Sequence, residues 1–395
     1  MKLYAQHGYG EGEKINQGLQ KGVISGAVYG AKDITPERLN DRLGDIAKIE
    51  QTAGRLFDPQ YYVSLISSDP NIRLGKIEEY PYFKIRRRSQ LENNNIVEED
   101  VRSVLEFQVK LPVTAVISPN ILISRSFDSV EAVIAKNFIR QAKKIYNPLR
   151  DKRPVFATLA ISREALLDFT ELESFLNDIT LLSSPPDGFY LIVGARSAEA
   201  RTDLYNADVI AAWMLLNYSL KINGFQVING YSDIISPFLG AVGGDVACTG
   251  WWSNLRTFSI DRFAPEATGG RQPVPRYLST KLLNRITFYE LHALRKIIPE
   301  VAIVNGLSMD DKYEGEPDRS DEVLQSWEAL SSLLGAMTMA EDATINLKKC
   351  GDAIKSAYEL YTLIKTRYRL DPKSDNSHLE PLQEGMSLFK KRAEI

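Results

Sequence analysis

Histidine and cysteine are scarce in this chain of 395 residues: three histidines and two cysteines. Two cysteines, Cys248 and Cys350, cannot form a disulfide framework or a cysteine-based zinc site. His7, His292 and His378 lie far apart, so an imidazole metal centre would need nearly all of them to converge, and no metal site is expected. A carboxylate-held Mg²⁺ stays open, because Asp and Glu are plentiful. His292 lies in a helical pattern and reads as structural, and His378 sits in a polar stretch, SDNSHLEP, and reads as solvated. GxSxG, HExxH and a strand followed by GxGxxG are all missing, so several common enzyme classes lose support, and no cofactor is expected.

Long hydrophobic runs are missing too. DVIAAWMLLNYSL is too short and too interrupted to span a bilayer. The first residues, MKLYAQHGYGEGEK, carry no apolar signal region, so a cytoplasmic protein without membrane association is expected. Charge of one sign is lacking as well: 48 Lys and Arg against 51 Asp and Glu give −3, which advertises neither nucleic acid nor an anionic surface.

What is present is an ordinary globular composition, 44% hydrophobic and 25% charged, with short runs rich in Val, Ile, Phe and Tyr alternating with amphipathic stretches. Strands are expected at Gly22–Gly30, Arg55–Tyr62, Val113–Ile123, Val155–Ile161, Phe189–Gly194, Phe225–Asn229, Asp245–Trp251 and Tyr277–Ser279. Helix signals lie between them. Thr35 and Pro36 open one that Gly54 closes, Val97–Lys110 is another, and Asp128 with Glu131 forms a capping box. Ser162 caps a helix to about Leu182, Asn206–Ile222 is followed by Gly224, a glycine-rich helix spans Ile234–Gly243, and Thr287 pairs with Glu290.

Near-continuous apolar strands mean both faces of a parallel sheet are covered. Eight β/α units in about 290 residues fit an α/β fold of the (β/α)8 barrel type, with an open doubly wound sheet as the alternative. Residues 1–300 form the barrel, with an inserted loop region at about 67–95 and a hairpin excursion at about 255–276. Residues 301–395 form a C-terminal helical extension whose helices, Glu322–Met339 and Ala343–Arg369, are a surface for an oligomer or protein partner. The stretch from Asp371 onward is expected to fray.

In a barrel the reactive groups sit at the C-terminal strand ends. Asp58 and Asp233 are the carboxylates there, read as a catalytic pair. Gln60, Asn120, Arg196, Asn229, Tyr231, Trp252 and Arg276 would bind a small polar or nucleotide-like substrate, Arg196 or Arg276 holding an anionic group and one indole of Trp251-Trp252 stacking. Each has a plain structural alternative in caps, salt bridges or core packing. Lys84, Arg86, Arg87 and Arg88, beside Tyr80, Tyr82 and Phe83, are the one local basic cluster with interleaved aromatics, and would contact nucleic acid unless they form a solvated charged loop. The glycine-rich His7–Gly12 loop lacks a preceding strand and a P-loop lysine, so it is not expected to cradle phosphate.

With its carboxylates at strand ends, the layout resembles the large barrels of the tRNA-guanine transglycosylase type. That resemblance implies nucleoside-type ligands and glycosyl transfer or hydrolysis, without the zinc site of that family, since Cys350 stands alone. Two functions remain open: a barrel enzyme on a nucleotide- or sugar-like substrate, and a non-catalytic barrel serving as a binding or scaffold subunit.

Overall fold

A computed structural model of the protein describes residues 1–65, 72–197, 205–264 and 274–395. Eight parallel strands run in chain order around a nearly closed barrel: β1 (Lys2–Gln6), β2 (Gly26–Gly30), β3 (Gly54–Asp58), β4 (Val116–Ser118), β5 (Val155–Ser162), β6 (Gly188–Ala195), β7 (Gln226–Gly230) and β8 (Val246–Thr249). Each pairs with its neighbour except β3 with β4, and β1 returns to β8 in register from Lys2 with Val246 to Ala5 with Thr249. Between β3 and β4 the ladder is replaced by one residue, Thr114. Its N–H donates to the Arg55 carbonyl at 2.8 Å, and its Oγ1 accepts the Arg55 N–H at 2.9 Å.

Helices cover the strands: α1 (Lys14–Gln20), α2 (Pro36–Ile49), α3 (Asn94–Gln108), α4 (Val130–Tyr146), α5 (Phe169–Thr180), α6 (Ala207–Ile222) and α7 (Ser236–Ala241). An antiparallel hairpin, β9 (Arg276–Ser279) and β10 (Asn284–Thr287), leads to α8 (Phe288–Leu294). Three helices follow, α9 (Arg319–Met337), α10 (Ala343–Lys365) and α11 (Leu379–Ala393). α9 packs on β1, α1 and α7, where it supplies the outer wall over the β8–β1 seam. Gly18 in α1 lets it approach, since a Cβ there would stand 2.9 Å from the Trp327 ring.

The strand count agrees with the sequence, but its membership shifts by one. Lys2–Gln6 is a strand that the sequence reading passed over because five residues ending in a glycine-rich loop carry little pattern. Tyr277–Ser279 lies instead in the hairpin outside the barrel. Gly54 does not close α2; it opens β3, where a Cβ would lie 2.0 Å from the Tyr4 hydroxyl inside the barrel. Ser129, not Asp128, caps α4 by accepting the Ala132 N–H, and Asp168, not Ser162, caps α5. The stretch from Asp371 does not fray. α11 packs along α6 and buries Leu379, Leu382, Met386 and Phe389, and His378 is fully buried beside Tyr205 and Tyr361 rather than solvated. An apolar face every three or four residues holds this charged segment down.

Candidate functional site: a cationic cleft at the barrel rim

The barrel axis is filled at its C-terminal end. Asp58, the last residue of β3, points inward and is completely buried. Its Oδ1 accepts the Gln60 N–H at 2.9 Å, and its Oδ2 lies 3.0 Å from the Tyr62 hydroxyl and 3.4 Å from that of Tyr190. Burial pushes the Asp58 carboxyl up to about 6, against the opposing pull of these donors and of Arg262. Phe258 seals the group, its ring 5.2 Å from Tyr62 and 5.3 Å from Tyr231. The Phe258–Ser259 bridge pairs with the end of β6, and the chain then turns Arg262 inward to donate to the Tyr231 hydroxyl and, at 2.8 Å, to Asp33. The excursion expected at 255–276 therefore begins as a plug in the mouth; Gly269, Gly270 and Pro273 lie outside the described residues, as does Pro70 of the insertion.

Beside the plug, over the ends of β7 and β8, a cleft of about 300 Å³ opens. Asp233 lies on its wall, and Asp58 does not. The turn that carries Asp233 is strained: Tyr231 and Asp233 both have left-handed backbones, at φ 54° and 35°. Non-glycine residues rarely adopt such conformations unless the surroundings impose them, and they gather at functional sites. Asp233 accepts two hydrogen bonds from Arg285, at 2.5 and 2.8 Å, and one from Thr249 at 2.9 Å. Burial raises its carboxyl, but Arg285 outweighs burial and holds it below the ordinary value, so it is an anion at neutral pH.

The charged side chains of the lining, among the described residues, are mostly cationic: Lys14, Arg256, Arg276, Arg285, Arg319 and Lys373, against Asp233 and Glu322, with Arg276 also 3.3 Å from Asp371. Glu322 is engaged by the Arg276 N–H at 3.1 Å and by Arg319. Arg256 donates to main-chain carbonyls, those of Trp251 at 2.7 Å and Gly250 at 3.3 Å. Burial, and then the Arg285 charge, bring its guanidinium down to about 10, still protonated at neutral pH. Lys14 reaches the Gly10 and Glu11 carbonyls from α1.

The two adjacent tryptophans lie in bends just past β8 and both line the cleft, but they differ in burial. Trp251 is buried edge-on against Trp327 and His7. Trp252 is 39% exposed and lines the cleft. Both indole N–H groups donate to the Tyr9 carbonyl, at 2.8 and 3.0 Å, and so tie the glycine-rich loop to the cleft wall. That loop does follow a strand, β1, contrary to the sequence reading.

Of the residues singled out from the sequence, Asp233, Trp252 and Arg276 meet in the cleft. Gln60, Tyr231 and Asp58 belong to the buried plug, where the Gln60 Oε1 accepts the Lys32 N–H at 2.7 Å. Asn120 is used up on main chain, bonding the Thr158 and Ala135 carbonyls and the Ile121 N–H. Asn229 faces α6, held by Trp213 and Asn217. Arg196 is exposed just past β6, outside the cleft lining.

The basic insertion is largely neutralised. Arg86 forks onto the buried Asp100, Lys84 pairs with Glu99 and Arg88 with Glu131, leaving Arg87 exposed. Tyr80 and Tyr82 point inward, their hydroxyls on the Ile34 and Pro59 carbonyls. Among the described residues there is no cluster of three metal-ligating side chains and no helix long and apolar enough to cross a membrane.

The sequence reading missed Arg256, Arg285, Arg319, Glu322, Lys14 and Lys373. Arg256 was within reach, five residues beyond Trp251 at an identified strand end. The others come from the hairpin, α1, α9 and the segment before α11, which only the tertiary fold brings to the rim. Comparison of the chain with protein-family models matched none, and comparison with curated proteins found no relative.

Proposed function

We propose that this barrel binds a small, multiply anionic molecule of the nucleotide or sugar-phosphate class in the cleft above β7 and β8. The observation that carries the reading is the charge balance of the lining, among the described residues six cations against two carboxylates, each already engaged by an arginine side chain. Like charges gathered in a half-enclosed cleft repel one another, and an entering anion relieves that repulsion. The place is also apt, because loops after the seventh and eighth strands are a recurrent phosphate site in barrels of this kind.

The catalytic pair read from the sequence has no part in this proposal, since Asp58 is sealed under Phe258 and only Asp233 reaches the cleft. The plug favours a second reading, a barrel that holds its ligand without converting it, as a binding subunit would. The test is thermal unfolding with pyrophosphate, against an equal ionic strength of sodium chloride. Saturation to a hundredfold above Kd stabilises by about 2.7 kcal/mol, about 3 °C for a chain of this size, and Arg256→Gln should reduce the shift. No shift with pyrophosphate, ADP or ribose 5-phosphate would refute the proposal. Recovery of unchanged ligand after long incubation separates binding from turnover.

A further inference from the structure

We infer that the molecule bound in the rim cleft carries a planar aromatic ring as well as its phosphates, and is a nucleotide rather than a sugar phosphate. The inference rests on the anion-binding reading above and adds to it from a separate observation, the environment of Trp252.

An arginine-rich wall alone describes a site for any phosphate. Trp252 adds to that wall an aromatic face that is 39% exposed, beside the apolar Ile234, Ile235 and Val274. Its neighbour Trp251 is the structural indole, 4% exposed and packed edge-on against Trp327 at 6.4 Å. Trp252 makes no such ring contact among the described residues. Its one hydrogen bond, from Nε1 to the Tyr9 carbonyl, fixes the edge of the ring, and its exposed surface lies on the same cleft as Arg256 and Arg276. An indole pinned at its edge loses little further freedom when a flat ring stacks on it, so the contact is cheap to make. Stacking tolerates any base because every base presents a π-face.

The opposite requirement, for negative charge, is met within the same cleft. Arg256 is close enough to Arg285 and Arg276 for both to depress its protonation, while only Asp233 and Glu322 oppose them. Among the described residues the Arg285 Nε–H is buried without an acceptor, a donor that a phosphate oxygen would satisfy. The volume, about 300 Å³, suits a single small ligand and sits at the lower end of such sites.

Titration of intrinsic tryptophan fluorescence, with calorimetry for ligands that do not quench, tests the idea using ADP, UDP, ribose 5-phosphate and pyrophosphate. ADP and UDP are expected to bind at least about tenfold more tightly than the two probes without an aromatic ring. Trp252→Ala should weaken the nucleotides about tenfold and leave pyrophosphate unchanged, which also shows that the variant is folded. Arg256→Gln should weaken all four. Equal affinity for nucleotides and pyrophosphate, or nucleotide affinity untouched by Trp252→Ala, overturns the ring while the anionic cleft stands. Absence of binding by every probe overturns the underlying reading as well.

Discussion

Replacing Asp58 by Asn should change the pH dependence of stability in a direction that burial alone dictates. The carboxyl moves from its ordinary 3.8 to about 6 inside the barrel, so the folded protein holds this proton more tightly than the unfolded chain does. Its contribution is therefore most favourable below about pH 4, declines as pH rises from about 4 to about 6, and is level above that. At about 1.4 kcal/mol per pH unit, the loss amounts to about 3 kcal/mol at neutral pH.

Asp58→Asn keeps a neutral group of the same shape beside Tyr62 and Tyr190, so the variant escapes this loss. Urea unfolding at pH 4, 5, 6 and 7, with the slope m checked for constancy, gives the stability of variant minus wild type. That difference should climb by about 2.4 kcal/mol from pH 4 to 7 and then flatten. Taking the difference removes the other carboxylates, whose paired forms, such as Glu11 and Asp151, give the opposite slope. A level difference would mean that the group is not desolvated. A falling one would mean that Arg262 prevails over burial and that the plug is an ion pair first.

Three further substitutions probe the regions the sequence left ambiguous. Arg86→Ala strips the forked partner from a carboxylate that is entirely buried, and chemical denaturation should show a loss of about 3–5 kcal/mol. Arg87→Ala, on an exposed side chain, should stay within about 0.5 kcal/mol, and equal effects would return the insertion to the status of a surface loop. Phe389→Ala on α11 should cost about 3–5 kcal/mol by the same assay. A value near zero would mean that the last helix contributes nothing to the folded core.

The regular middle of the chain was legible because it carries whole signals. β5 and β6 are eight-residue strands, buried throughout except for Ser162 at the end of β5, and α6 has an Asn206 cap and a Gly224 stop. The ends were not. β1 has only five residues and owes its place to pairing with β8, a partner no local pattern announces. The Tyr277 strand looks like the others until the hairpin claims it. The rule of strand ends found Asp233 and Trp252, because it needs only local structure. It could not separate a side chain on the open rim from one under a plug, and so it paired Asp58 with Asp233. Arg285, Glu322 and Lys373 lie outside the repeating units altogether.

The hydrogen bond from Trp251 to Tyr9 spans 242 residues of chain, and its neighbour in the fold is the β1–β8 seam with α9 laid across it. During synthesis from the N-terminus, β1 emerges with a partner on one side only, and its other edge stays bare until β8 and then α9 have been made. Long-range pairings of this kind are slow to form and leave an unpaired edge open to other chains. Ring closure thus waits for β8, and a chain shortened ahead of α9 would leave the β1–β8 seam without its outer wall and the rim cleft without Arg319 and Glu322.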